Sequence, residues 1–191
     1  MNSSIEKLRH FLSTATHIPI EKVEIEESVL TETSYKKNQY ILSEGSVCNS
    51  VIFIVSGLIR SYYLKDGLEV NTGFYKENDI ACSFNSLVNR VPSNEFLQAL
   101  ENTTAIVLPY ESLLKLYSTS DQWQEIGRIM TERECVYLAN RVTFLSFESA
   151  RTKYLNLLKE QPELVNRVPV HHLASYIGVS RETLSRIRSG I

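Results

Sequence analysis

A mixed α+β fold in three parts is what this chain predicts: an antiparallel β-roll or jelly roll preceded by short helices, one long helix, and a small all-α unit. Three observations predict it. Residues 40–109 are short apolar runs rich in β-branched and aromatic residues, separated by turn signals. Residues 120–144 hold no proline and repeat apolar residues at helical spacing. Residues 170–191, VHHLASYIGVSRETLSRIRSGI, place small and apolar side chains as two helices folded around one core would need them. The expected boundaries are 1–118, 119–146 and 147–191.

Taken in order, residues 3–15 read as an amphipathic helix with Ile5, Leu8, Phe11 and Leu12 inward, and Pro19 begins a second. Val23 and Ile25 alternate as in a strand. The β region then runs YIL, VIFIV, LIRSYYL, LEVNTGFY, DIACSF, FLQAL and TAIVL, punctuated by Glu44-Gly45, Ser56-Gly57, Asp66-Gly67 and Glu77-Asn78-Asp79, which gives seven or eight strands. Helix returns at 110–117. In the long helix Trp123, Ile126, Met130, Tyr137 and Phe144 fall on a heptad seam beside a second stripe of Ile129 and Val136, so one stripe can pack on its own domain and the other on a twin helix. Trp123, Ile126, Met130 and Tyr137 are the expected dimer contacts. A helix over 147–160 carries Ala150, Tyr154, Leu155, Leu157 and Leu158 mostly inward, and 160–169 is a short connector.

In the last stretch Leu173, Ala174, Ile177, Val179, Leu184 and Ile187 supply the packing positions. Gly178 suits the positive φ of a tight turn, and Ser180 caps a helix beginning at Arg181. Leu184, Ile187 and Ile191 share the inner face of that helix, leaving Arg181, Glu182, Ser185, Arg186 and Ser189 together outside. This is the helix-turn-helix pattern, whose second helix reads base edges in the DNA major groove. An ordinary helical hairpin with a solvated Glu182–Arg186 pair would account for the charges, but not for packing positions, turn glycine and cap together.

The net charge of −2 divides unevenly, +4 over residues 150–191 against −6 before them, as expected of a basic nucleic-acid module joined to an acidic body. No stretch reaches the roughly 18 apolar residues of a membrane span, and the N-terminus has charges where a signal peptide would be apolar, so a cytoplasmic protein is expected. Cys48, Cys82 and Cys135 are scattered and lack a CxxC, which predicts neither a disulfide framework nor a metal site. No cofactor is expected.

The order of these parts resembles the Crp/Fnr family of transcription regulators over about residues 36–191. IFIVSGLIRSYYLKDGLEV is similar to its signature pair of strands, with Ser56-Gly57 in the turn, and SRETLSR is similar to its recognition helix. The resemblance implies a homodimer that binds an inverted repeat in double-stranded DNA and acts on RNA polymerase. It further implies that Arg181 and Arg186 read guanines, and Glu182 a cytosine, of a TGTGA-like half-site. The chemistry agrees, since an arginine fork matches guanine O6/N7 and a carboxylate accepts from cytosine N4. Ser180, Thr183 and Arg188 would then meet phosphates, with Ser185 on the same face.

The sequence also departs from the family. Where cyclic-nucleotide-binding members carry Gly-Glu for the ribose and Pro-Arg for the phosphate, this chain has Cys82-Ser83 and Pro92-Ser93. Burying a cyclic phosphate without a counter-charge costs several kcal/mol, so cyclic AMP is not the expected effector. Cys82, Ser83, Arg90, Ser93 and Asn94 mark the expected pocket of an unidentified small molecule, with Arg90 the one substitute cation nearby. Three cysteines do not supply an iron-sulfur cluster, and His10 and His17 read as surface residues rather than haem ligands. His171 and His172 stand at the start of the helix-turn-helix, where a charge change near pH 6.5 would tune DNA affinity, though ordinary helix-start residues are the plainer reading. The sequence ends at Ile191 without the β-hairpin wing of other members, which implies fewer phosphate contacts. No nucleophile, glycine loop or carboxylate pair indicates an enzyme. The alternative function is a cyclic-nucleotide-binding-like signalling module that regulates a protein partner without touching DNA.

Overall fold

The computed structural model describes residues 3–190 and bears out the α+β class. Eight strands form two four-stranded antiparallel sheets. They are β1 (Thr31–Tyr35), β2 (Tyr40–Leu42), β3 (Ser50–Ser56), β4 (Ile59–Lys65), β5 (Leu68–Tyr75), β6 (Ile80–Ala81), β7 (Glu95–Ala99) and β8 (Thr103–Pro109). One sheet has the order β1-β8-β3-β6 and the other β2-β7-β4-β5. Ile52, Ile54, Ile59, Leu97 and Ala105 fill the space between them, because alternate residues of each strand turn inward. The seven apolar runs correspond to β2 to β8. The eighth strand, β1, is the polar TETSY; it pairs residue by residue with β8 from Thr31↔Val107 to Tyr35↔Thr103, so backbone bonds rather than apolar alternation hold it.

Helix α1 (Ser3–Thr16) covers the outer face of the first sheet, with Leu8 and Leu12 buried and Phe11 packed on Phe53 at a ring distance of 5.2 Å. The helix expected after Pro19 is a single 3-10 turn, Ile20–Lys22. No strand forms at Val23–Ile25. Val23 is buried, but its carbonyl accepts from Arg9 Nη1 at 2.7 Å and the Glu24 N–H donates to Gln122 Oε1 at 2.8 Å, so side chains occupy the groups a strand neighbour would need. A short helix α2 (Phe84–Asn89) follows β6, in a stretch expected to be strand and loop.

Helix α3 (Tyr110–Thr119) leads into α4 (Asp121–Phe147), about 40 Å long at 1.5 Å per residue, which starts on a Ser120 cap. The expected dimer seam needs correction here. Trp123 and Ile126 are 6% and 3% exposed and belong to the core made by α1, β3, β8 and α3, with Met130 packed against it. Their large side chains complete that core, so they are not available to a twin helix. An exposed apolar stripe lies on another face, where Cys135, Leu138, Val142 and Leu145 follow one another at spacings of three, four and three residues. Tyr137 is 40% exposed, and Phe144 packs on Tyr176.

The C-terminal part comprises α5 (Ala150–Glu160), α6 (Pro162–Arg167), α7 (Val170–Ile177) and α8 (Arg181–Ser189). Helix α6 occupies what reads as a connector; Pro162 begins it and Leu164 and Val165 bury its inner face. Leu155, expected inward, is exposed, whereas Lys153 is buried with its ammonium donating to the carbonyls of Leu145 at 3.0 Å and Ile177 at 3.4 Å. Leu58 and Leu100 of the β-roll share one apolar cluster with Leu173, Ile177 and Leu184. Ile191, expected beside Leu184 and Ile187, lies outside the described residues.

Gly57 sets the turn on which the two halves meet. Its φ is +105° and a Cβ there would stand 2.6 Å from the Thr103 Cα. Gly57→Ala should therefore lower unfolding free energy by about 2–4 kcal/mol in urea titration. Gly45→Ala, with positive φ but open space around it, should cost about 1 kcal/mol.

Candidate nucleic-acid interface

The turn between α7 and α8 is closed by the Gly178 and Val179 N–H groups, each donating to the Ala174 carbonyl at 3.0 Å, with Gly178 at φ +87°. Ser180 then starts α8: its Oγ accepts from the Thr183 N–H at 3.2 Å. Leu184 is fully buried and Ile187 is half-buried, which fixes the rotation of the helix. Arg181, Glu182, Ser185 and Arg186 are exposed away from that inner face, whereas Arg188, also exposed, follows Leu184 by one turn and lies 6.0 Å from the centre of the Tyr154 ring. The structure thus brings four of the sequence-predicted DNA residues, Arg181, Glu182, Ser185 and Arg186, onto the exposed part of one helix. Thr183 is half-buried and its hydroxyl lies 3.1 Å from Ser180 Oγ, so both side chains are engaged in the cap. The Glu182 backbone N–H and Ser180 hold the Glu182 carboxyl below the usual carboxylate range, leaving an acceptor at neutral pH.

Helix α8 is held in place through α7, which lies on β5. Beneath α7 sits Arg60, a β4 arginine only 3% exposed. Its Nε and Nη2 donate to Gln98 Oε1 at 2.9 and 2.7 Å, and its Nη1 and Nη2 to Glu69 at 2.5 and 3.1 Å. The remaining Nη1 contacts are His172 Nδ1 at 2.8 Å and Asn71 Oδ1 at 3.3 Å. Ser175 of α7 adds a bridge, donating to the Glu69 carbonyl at 2.8 Å and accepting from the Asn71 N–H at 3.0 Å. From α6, Arg167 donates to Glu77 at 2.8 and 3.0 Å, to Glu101 at 2.8 and 3.2 Å and to the Gly57 carbonyl at 2.9 Å. From α4, Arg141 donates to the Tyr176 carbonyl at 2.6 Å and lies 3.6 Å from the centre of its ring. Sequence reasoning missed all three arginines. The available signal was Arg60 itself, a cation inside a strand run, where β alternation put it on a face with no visible cover.

The residues expected to line a small-molecule pocket do not form one. Ser83 and Ser93 are buried with their hydroxyls 3.1 Å apart, and Ser93 also closes a local turn with Glu95. Arg90 donates to the Cys48 carbonyl at 2.7 Å, binds Asn49 and stacks 4.0 Å over Tyr110, so its guanidinium is occupied. Asn94 is exposed. Cys82 lines a cavity of about 590 Å³ that runs between the β-roll and α4, past Phe53, Trp123, Glu134 and Tyr137. Burial pushes the Cys82 thiol up to about 12 and raises the Asp79 and Glu134 carboxyls in the same wall. Among the described residues no group of three His, Cys, Asp or Glu side chains is placed to hold a metal ion, and no helix is long and apolar enough to cross a membrane.

Residues 32–120 match the family model of the cyclic nucleotide-binding domain. The chain is similar to the transcriptional activator protein Anr of Pseudomonas aeruginosa, 24% identical over 177 residues, which covers 85% of this chain and 71% of that protein. It is also similar to the transcriptional activator FnrA of Stutzerimonas stutzeri, 26% identical over 168 residues, covering 80% and 66% of the two chains. Among solved structures, FixK2 from Bradyrhizobium japonicum superposes with a TM-score of 0.74 at 23% identity, covering 85% of this chain and 84% of that one. A protein from Eubacterium rectale described as a Crp/Fnr-family regulator gives 0.70 at 16% identity, covering 95% and 87%. The two structures share this fold.

The Arg167 cluster yields a stability test. Arg167 holds the Glu77 carboxyl down at about 2, against an ordinary value of 4.5. Because the folded value is depressed, its contribution is complete above about pH 4.5 and is lost as pH falls toward 2. Arg167→Ala should lower unfolding free energy by about 1–2 kcal/mol at pH 7, allowing for partial solvent screening. The difference from the unmodified chain should shrink in denaturation curves recorded between pH 4 and pH 2.5.

Proposed function

We propose that this chain, a homologue of Crp/Fnr-type transcriptional activators with a cyclic nucleotide-binding domain at residues 32–120, is a sequence-specific DNA-binding transcription regulator. One observation carries the reading: a capped, correctly rotated α8 presents Arg181, Glu182, Ser185 and Arg186 outward on a helix whose inner face is locked by Leu184. Nothing packs over that surface among the described residues, and its side chains are the ones that discriminate bases in a major groove.

In this reading residues 1–118 form the sensor, 119–146 the dimer helix and 147–191 the DNA-binding unit, which works in the cytoplasm and contacts RNA polymerase. Arg181 and Arg186 donate to guanine O6 and N7, and Glu182 accepts from a cytosine amine of a TGTGA-like half-site. Two copies pair along Cys135, Leu138, Val142 and Leu145 of α4, the apolar seam left exposed once Trp123 and Ile126 are committed to the sensor core. An effector would occupy the cavity between β-roll and α4. Its wall carries Arg133 beside Asp79 and Glu134, and Cys82-Ser83 and Pro92-Ser93 stand where cyclic-nucleotide-binding members hold ribose and phosphate, so a cyclic nucleotide is not the expected effector. The protein reads DNA and turns over no substrate.

Selection from a random duplex pool at a fixed, stated salt concentration should enrich an inverted repeat with TGTGA-like arms. On that site Arg181→Ala and Arg186→Ala should each weaken binding by about 1–3 kcal/mol and relax base preference. Equal losses on random DNA would reassign both to phosphate contacts, and no enrichment under any condition would remove the DNA reading. In sedimentation, Leu138→Asp combined with Val142→Lys should give a monomer. Trp123→Ala should instead reduce stability by about 3–5 kcal/mol and leave association to the seam; an unchanged mass in the seam variant would sink the dimer assignment.

A further inference from the structure

The contact between His172 and Arg60 joins the two halves through a proton-sensitive pair. Arginine has only donors, so the 2.8 Å contact of Arg60 Nη1 with His172 Nδ1 requires a free lone pair on that nitrogen. Both residues are buried, at 3% and 8% exposure. Three charged or titratable groups face the imidazole: Arg60 from β4, Glu69 from β5, and His171 beside it on α7. Glu69 Oε2 is 3.6 Å from Nδ1, but both carboxylate oxygens already accept from Arg60. A proton on Nδ1 would therefore set one N–H donor against another and two cations side by side, with Glu69 shared between them.

We infer that docking of the helix-turn-helix on the sensor sheet is conditional on a neutral His172, and that acidification releases α7, with α8 attached to it, from β4 and β5. The release stands on the geometry of the interface alone. Its effect on DNA binding rests on the reading of α8 given above.

The sign follows from the environment. Burial first, then Arg60 and His171, pull the His172 imidazole down to about 4 from the ordinary 6.5. The undocked domain thus takes up a proton between pH 6.5 and 4 that the docked domain refuses. Docking is complete above that window and weakens as pH falls through it. In the other clamp Arg167 keeps Glu77 ionised down to about 2, below this window. Glu69 is likewise held below the usual carboxylate range by Arg60.

Amide hydrogen exchange reads the docking directly, since the Asn71 N–H donates across the interface to Ser175 Oγ. Between pH 7 and pH 5 the protection factor of Asn71 should fall about tenfold, while that of Ile106 in the core of the other sheet stays constant. His172→Asn keeps an acceptor oxygen near the Nδ1 position and takes no proton, so its Asn71 protection should be flat over the same range. Constant protection in the unmodified chain, or an equal fall in the variant, would overturn the inference. Should the variant fail to protect Asn71 at pH 7, the His172 titration followed by NMR in the unmodified chain decides: a midpoint near 6.5 overturns the inference and one below 5 supports it. Affinity for the selected DNA site, measured across the same range, tests the second step. Opening at Asn71 with unchanged DNA affinity would uphold the release and overturn its link to α8.

Discussion

Arg60 is a cation whose desolvation has to be offset by partners from both halves of the molecule. A buried guanidinium is tolerable only when its donors are paired, and leaving one charge of such a cluster uncompensated costs about 3–5 kcal/mol. The β-roll alone supplies Gln98, Glu69 and Asn71. The last acceptor and the cover that excludes water come from α7, through His172 and the Ser175 bridge. Sensor sheet and helix-turn-helix are thereby bound to one arrangement. The shared apolar cluster of Leu58 and Leu100 with Leu173 and Ile177 gives that arrangement affinity, and Arg60 gives it a required geometry.

How much of this is legible in the sequence depends on how far apart the interacting residues lie. The helix-turn-helix is local: Gly178, Ser180, Leu184 and the outward arginines sit within a dozen residues, and each has one physical role that its neighbours corroborate. Strands β2 to β8 were legible for the same reason, since apolar alternation and turn residues are written along each run. Strand β1 was not, because TETSY carries no apolar face and is defined by its ladder with β8. Helix α6 looked like a linker because its six residues, PELVNR, are too few to show a period.

The pocket residues failed for a different reason. Aligning Cys82, Ser83 and Ser93 with family ligand positions locates a loop, but the side chains there bond to one another and to Glu95, and Arg90 is turned toward Cys48 and Tyr110. Removing an arginine and a glutamate from such a loop leaves polar groups that must find partners within the protein, and they have done so. The cavity lies toward α4, where Phe53 and Trp123 meet Glu134 and Tyr137. A helix surface assigned from periodicity was ambiguous in the same region. Two apolar stripes on α4 can be counted, but only the packing shows that Trp123 and Ile126 belong inside and Leu138 and Val142 outside.

This division of faces makes α4 the element through which the parts communicate. Its first turns are buried in the sensor core, its middle carries Glu134 and Tyr137 on the cavity wall, and its last turns place Arg141 on the Tyr176 carbonyl and ring of α7. In the proposed reading, a ligand filling the cavity would push on the helix that also bears the exposed apolar stripe and touches the helix-turn-helix. Packed interiors repack between discrete arrangements more readily than they deform. A shift of α4 therefore has to be absorbed at the Arg141–Tyr176 contact or passed on to α7. What resists passing it on is the polar clamp one turn earlier on α7, where Arg60 holds His172. In the proposed reading, ligand and proton thus act on the same helix at two points one turn apart, one through packing and the other through charge.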